Sequence, residues 1–287
     1  MARAIDHLVI ASHDLDALAG LYRRLGFQVG SRNRHPWGTE NHIVQFDGAF
    51  LELIGLGQGY RAPEPEKGVF SFGGFVGGFL ARREGLAMLA LRSADAEADR
   101  QRFAAEGLGA FRRFDFTRKA RRPEGSEVDV GFSLAFAVSD VLPEAGFFVC
   151  AQKYPENFWS RAAQIHPNGA IGIAGVSVVI EKPKEAAEFL ARLFEASPPR
   201  TLDGGYAVSV DGAELECLTR PAFEERFGGE LIPAEGAPLA LARMRVADAA
   251  LLSRRLEADG VPHHRIGNAV AVNARDAAGL AVVFETR

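Results

Sequence analysis

Cysteine is nearly absent from this chain: Cys150 and Cys217 are the two thiols in 287 residues. Both fall inside apolar strand patterns, so buried free thiols in a reducing compartment are expected rather than a disulfide framework. A basic stripe interleaved with aromatics is missing as well. The 33 Lys and Arg against 37 Asp and Glu leave a net charge of −4, which argues against nucleic acid as a partner. The densest basic run goes from Arg112-Arg113 through Arg118-Lys119 to Arg121-Arg122. It reads as a solvated loop, with contact to an anionic substrate as the alternative. No apolar run reaches membrane-spanning length, and no basic region with a long apolar stretch precedes the first strand at Ile5. Neither a membrane span nor a signal peptide is expected, and a cytoplasmic protein is. The paired glycines of FSFGGFVGGFLARR, Gly73-Gly74 and Gly77-Gly78, lack the strand context and the Lys-Ser/Thr of a phosphate loop. That removes nucleotide binding and leaves Phe70, Phe72, Phe75 and Phe79 as core or pocket wall.

What is present is one pattern, four times. Ala4 to Ile10 reads as a strand, and Asp14 caps a helix with Leu15, Leu18, Leu21, Tyr22 and Leu25 on one side, stopped by Gly26. Strands follow from Phe27 to Gly30, His42 to Phe46 and Phe50 to Ile54, the last two joined by the Asp47-Gly48 hairpin turn. This βαβββ order returns at Leu86–Leu91, Ala94–Glu106, Gly109–Phe116, Val130–Val138 and Gly146–Gln152. It returns again from Ile173 through Lys184–Phe194, Tyr206–Val210 and Ala213–Leu218. The fourth pass runs from Leu239 to Val246, through Ala249–Ala258, to Ala269–Asn273 and Leu280–Glu285. Residues repeat too: Asp47-Gly48-Ala49-Phe50-Leu51-Glu52 resembles Asp211-Gly212-Ala213-Glu214-Leu215-Glu216. The expected fold class is α+β, four βαβββ modules forming two curved-sheet barrels. Apolar alternation lapses between about Asn157 and Ile171, which divides the chain into residues 1–165 and 171–287. Exchange of modules between two chains, as a homodimer, is compatible with the same pattern.

Glu52 interrupts an otherwise apolar strand, where an unpartnered carboxylate is costly. On the period-two rule it shares a face with Phe50 and Ile54, while His7 shares one with Ile5 and Val9. Strands one and four lining one concave sheet would let His7 and Glu52 converge. Ahead of that strand, the turn RHPWGTENH holds His35 and Trp37 between Pro36 and Gly38, either as a structural cap or as a substrate-facing loop. Asn41 lies on the same strand face as Thr39 and Ile43, within reach of the cavity; His42 points the other way.

These residues resemble the vicinal oxygen chelate superfamily, which includes glyoxalases and extradiol dioxygenases. IDHLVIASHDLDALAGLYRRLGFQV is similar to its opening strand and helix. RNRHPWGTEN and FLELI are similar to segments of its glyoxalase-like domain group. The similarity is concentrated in residues 1–57 and extends more weakly through His166-Pro167-Asn168-Gly169-Ala170 to the end. In that superfamily the first-strand histidine and fourth-strand glutamate ligate a divalent metal, so the resemblance implies His7 and Glu52 as ligands. Such donors suit Zn, Fe, Mn, Co or Ni. Opposed open positions would hold the vicinal oxygens of a substrate.

The resemblance implies two further ligands from the paired module, where Met88 stands opposite His7 and the last strand offers Cys150 and Gln152. Gln152 or His166 is the expected completion, and His166 also counts as a substrate contact beside His35, Trp37 and Asn41. A metal-free alternative keeps Glu52 and His7 as a proton-transfer pair. In the carboxyl-terminal half the matching positions fall near Ser177 and Glu216, with no histidine in the strands, so that half is expected to be structural. The implied function is metal-assisted isomerase, lyase or dioxygenase chemistry on a small oxygenated molecule. Sequestration of a small molecule without turnover and a scaffold with a degraded site are the alternatives.

Overall fold

Asp14 ends the first strand and starts the first helix, its carboxylate accepting the Ala17 N–H at 2.8 Å. The computed structural model describes residues 2–121, 126–231 and 236–286. The first module comprises β1 (Ile5–Ala11), α1 (Leu15–Arg24), β2 (Asn33–Arg34), β3 (Thr39–Gln45) and β4 (Phe50–Leu56). After α2 (Phe72–Leu80), the second comprises β5 (Gly85–Arg92), α3 (Ala96–Ala105), β6 (Phe114–Arg121), β7 (Glu127–Ala137) and β8 (Gly146–Gln152). A short helix, α4 (Pro155–Phe158), leads out of it.

The third module is β9 (Ala170–Val179), α5 (Pro183–Leu193), β10 (Arg200–Leu202), β11 (Gly205–Val210) and β12 (Ala213–Leu218). Following α6 (Arg220–Phe227), the fourth is β13 (Leu239–Val246), α7 (Ala249–Ala258), β14 (His264–Ile266), β15 (Ala269–Val272) and β16 (Ala281–Glu285). Each pair of modules builds one eight-stranded sheet, in the orders β2-β3-β4-β1-β5-β8-β7-β6 and β10-β11-β12-β9-β13-β16-β15-β14. The two sheets are the same arrangement made twice, an α+β fold.

Within each module the first strand runs parallel to the last, and the first strands of paired modules meet antiparallel at the centre of the sheet. The helix covers one face. Leu15, Leu18 and Tyr22 of α1 pack under Leu8, Ile10, Leu51 and Leu53, and this core continues through Val176, Leu190 and Phe284 of the second sheet. Burying each such side chain contributes about 1.5–3 kcal/mol, so the halves are joined through their helix-bearing sides. The opposite face of the first sheet carries a separate cluster of Val9, Phe50, Ile54, Phe132, Phe136 and Phe148, closed by Phe72, Val76 and Phe79 from α2. No described helix is long and apolar enough to cross a membrane.

Two departures from the sequence reading affect the site. Pairing on the sheet edge occurs at Asn33–Arg34 rather than Phe27–Gly30. Phe27 leaves the edge to pack on Tyr22, Phe46 and Phe284. The glycine-rich FGGFVGGFL forms a helix, capped by Ser71 Oγ accepting the Gly74 N–H at 3.0 Å. Gly73 there lets the helix lie against Trp37, because a Cβ would stand 3.2 Å from that indole.

Candidate functional site

The β1–β5 pairing jumps from Ile5–Leu91 to His7–Ala90, leaving Asp6 as the extra residue of a bulge. The alternation therefore slips by one. Ile5 joins Leu8 and Ile10 in the helix-side core, while Val9 and Ala11 face the other way. This corrects the expectation that Ile5 shares the face of His7. The bulge also sets Asp6 and His7 side by side, with Asp6 Oδ1 2.6 Å from His7 Nδ1. Both are almost fully buried. The Cys150 thiol lies within 4.8 Å of the same carboxylate, and burial first, then the charge of Asp6, holds that thiol well above its usual range. Asp6, His7 and Cys150 thus form a cluster whose donor atoms lie within 4.8 Å of one another. With Nδ1–H given to Asp6, the lone pair of His7 sits on Nε2.

That Nε2 is 3.8 Å from Glu52 Oε2. The other carboxylate oxygen accepts from Asn41 Nδ2 at 2.5 Å and lies 3.8 Å from His35 Nε2. Asn41 also approaches His35 Nε2 at 3.3 Å, and His35 Nδ1 meets Thr39 Oγ1 at 2.8 Å. These contacts are consistent with His35 neutral, donating through Nδ1 and accepting at Nε2. Burial, assisted by Arg118, pushes its pKa down to about 3. Burial pushes the Glu52 carboxyl upward, opposed by His7, Asn41 and Arg118.

The group lines a cleft of about 440 Å³, counting its open mouth. Its walls are aromatic: His7 stacks on Phe50 at 4.1 Å, and His35 stacks on Trp37 at 4.5 Å. Phe72, Phe116, Phe132, Phe148 and Phe158 complete them. His7, Glu52, His35, Trp37 and Asn41 therefore come together in one cleft. Trp159 packs on Phe50 and Phe158 at the side.

His166 and Gln152 do not join them. His166 Nδ1 accepts the Gln28 N–H at 3.0 Å, and Nε2 donates to the Gln45 carbonyl at 2.7 Å. Its ring packs on Phe27 and Phe46, away from the cleft lining, so no lone pair remains for a metal. His166 is corrected from ligand and substrate contact to a support between segments. Gln152 shares the alternation of Phe148 and Cys150 but lies two residues beyond the lining, its Oε1 buried and without a hydrogen-bond partner among the described residues. The donor that the paired module brings to the cleft is Cys150. Met88 and Phe148 stand at the register positions equivalent to His7 and Glu52.

Arg118, expected in a solvated loop after a Gly109–Phe116 strand with contact to an anionic substrate as the alternative, lies instead within β6. On β6, Phe114, Phe116 and Arg118 alternate with Asp115, Thr117 and Lys119, so Arg118 belongs to the face of the phenylalanines and lines the cleft. The alternation was visible, but the charge run around it reads as solvent-facing. Arg122, at the end of that run, lies outside the described residues.

In the second sheet the matching site is filled. Glu216 is fully buried and accepts from Ser177 Oγ at 2.9 Å. Arg226 pairs with it at 2.6 Å, and Arg243 stands 3.9 Å away. Register corrects one detail. Gly175, not Ser177, holds the position of His7, because Gly175 pairs with Glu214 and Arg243 as His7 pairs with Phe50 and Ala90.

A divalent ion fits the donor chemistry of the first cleft. Two donors bound at about 2.0–2.2 Å each stand up to about 4 Å apart, and His7 Nε2 and Glu52 Oε2 are 3.8 Å apart. The lone pair on Nε2 is fixed by Asp6, as metal-binding imidazoles require. His7 and Glu52 face each other in the cleft, with Cys150 in its lining, rather than within a closed shell.

Among solved structures, a hypothetical protein from Staphylococcus aureus is similar over 100% of both chains, with a TM-score of 0.69 and 12% identity. A mutant of 4-hydroxymandelate synthase from Streptomyces coelicolor is similar at TM-score 0.60 and 11% identity, over 100% of this chain and 93% of its own. A Mn(II)-bound glyoxalase from Novosphingobium aromaticivorans gives 0.58 and 11%, over 100% and 83%. At these identities the likeness concerns the fold alone. No curated protein matches the chain. The model of the glyoxalase-like domain matches residues 5–194, which include the whole cleft, and the chain accordingly belongs to the glyoxalase-like domain family.

Proposed function

We propose that the protein is an enzyme that transforms a small oxygenated molecule in the first cleft, with His7 and Glu52 as its polar centre and ligands of a divalent ion. The observation that carries this reading is the 3.8 Å separation of His7 Nε2 and Glu52 Oε2 inside an aromatic wall. The ion would supply a Lewis acid that polarises a substrate oxygen. The chain's own residues do the rest. Asp6 holds the His7 proton on Nδ1, Asn41 fixes the Glu52 carboxylate, and neutral His35 with Trp37 walls the cleft and limits water. Isomerase, lyase or dioxygenase chemistry on adjacent oxygens is the reaction range such a centre serves. Residues 171–287 are structural in this reading, since Arg226 and Arg243 neutralise Glu216. The free, buried thiols agree with a cytoplasmic location.

A second reading, capture of a small molecule without turnover, is favoured by Met88 and Phe148 at the positions where the paired module would complete a metal shell. Purified protein screened against dicarbonyl–thiol adducts and catechols, with and without added divalent ions, separates the two. Ion-dependent product formation supports the enzyme. Ligand-induced melting shifts without product, across both substrate classes, contradict it and support capture.

A further inference from the structure

Among the described residues Arg118 is a partly buried cation without a paired carboxylate. Three other arginines with a buried Nε do have carboxylates: Arg83 pairs with Glu144 at 3.2 Å, Arg102 with Glu106 at 3.3 Å, and Arg243 with Glu285 at 3.8 Å. Among the described residues Arg118 makes no such pair. Its Nη1 donates to Asn33 Oδ1 at 2.9 Å and to the Lys119 carbonyl at 3.3 Å. Among the described residues its Nε, like those of Arg83, Arg102 and Arg243, is buried without a hydrogen-bond partner, and its Nη2 makes no hydrogen bond. Glu52 acts on it only through space. An unpaired guanidinium held partly out of water is unfavourable, and a bound anion offsets that.

The free edge, Nε with Nη2, is the side of a guanidinium that receives two oxygens of one oxyanion. Arg118 lines the same cleft as the aromatic wall and the His7–Glu52 pair. We propose that Arg118 anchors an oxyanion on the substrate, so that the substrate class is a small acid whose charged group is attached to an apolar, ring-sized body. The inference rests on the first cleft being the site. With the charged end held at the fork of Arg118, the oxygen-bearing part of the substrate is left toward the His7–Glu52 pair. Trp37, Phe116, Phe132 and Phe158 take the apolar body.

Phenylacetate, phenyl phosphate and 2-phenylethanol carry one ring with a carboxylate, a phosphate or a neutral hydroxyl. Their affinities for the wild type, R118Q, R118K and W37A would be measured by calorimetry, with Tm recorded for each variant. At least one acid is expected to bind the wild type at least about tenfold more tightly than the alcohol, a difference of about 1.4 kcal/mol. The tighter acid identifies the anion as carboxylate or phosphate. R118Q should bring the acid-to-alcohol ratio to about one while alcohol affinity stays within about twofold, and R118K should fall between, having charge without the fork. An acid-to-alcohol ratio near one in the wild type overturns the proposal even if R118Q fails to fold. An unchanged ratio in folded R118Q, or no binding of either acid, also overturns it. If the cleft itself is misassigned the signature differs: every probe then binds W37A as well as the wild type.

Discussion

Gly175 takes in the second sheet the position that His7 takes in the first, and a side chain begun there would stand 2.5 Å from Arg243 Nη2. Where the first sheet keeps an imidazole facing a carboxylate, the second has the Glu214 carbonyl, 2.0 Å from that side-chain position, and the Arg243 guanidinium bound to it. Glu216 is held there by Arg226, Arg243 and Ser177.

Glu216→Ala should destabilise the protein and leave the first cleft alone. The substitution strips the carboxylate from Arg226, Arg243 and Ser177, and breaking a buried pair costs on the order of 3 kcal/mol. Arg226 is 45% exposed and regains water, which places the loss at the lower end. A Tm drop of roughly 5–10 °C with unchanged ion and probe binding is expected in thermal scans and calorimetry. Loss of ion binding in a folded E216A protein would count against the division of roles.

Asp6→Asn tests the support behind His7. An amide can still accept from Nδ1–H, but it no longer favours the charge that His7 gains as a ligand. Affinity for a divalent ion should fall about 10–100-fold, with the fold intact. Titration of metal-free protein with competing chelator reads this directly, and an unchanged constant would remove Asp6 from the site.

His35 gives a pH dependence whose sign is fixed by burial. Its folded pKa, about 3, lies below its unfolded value. Between the two, the unfolded chain binds the proton and the folded one does not, so stability rises with pH through that window and is lost on acidification. His35→Gln removes this contribution. Urea unfolding of metal-free protein between about pH 4 and pH 7 should show the wild type losing more stability on acidification than H35Q. Equal losses would mean that His35 is not held neutral.

The sequence made some of this legible and hid the rest for physical reasons. Glu52 kept strict alternation with Phe50 and Ile54, so its face could be read. His7 could be placed beside it only in part, because the bulge at Asp6 shifts the alternation and nothing in IDHLVI marks an extra residue. Asp6 was hidden by the same shift. The four βαβββ passes were readable because each strand keeps its own period. Phe27–Gly30 misled, since an aromatic next to a helix end packs as core as readily as it pairs. His166 looked available because its turn sequence says nothing of ring partners, and both nitrogens prove to be engaged by Gln28 and Gln45.

The most direct measurement is metal analysis of tag-free protein purified without chelators, after reconstitution with Zn, Fe, Mn, Co and Ni in turn. The account predicts about one equivalent of at least one ion in the wild type and in E216A, and none in H7A or E52A. A wild type that retains no ion under any of these conditions, or one whose ion survives both H7A and E52A, would contradict it.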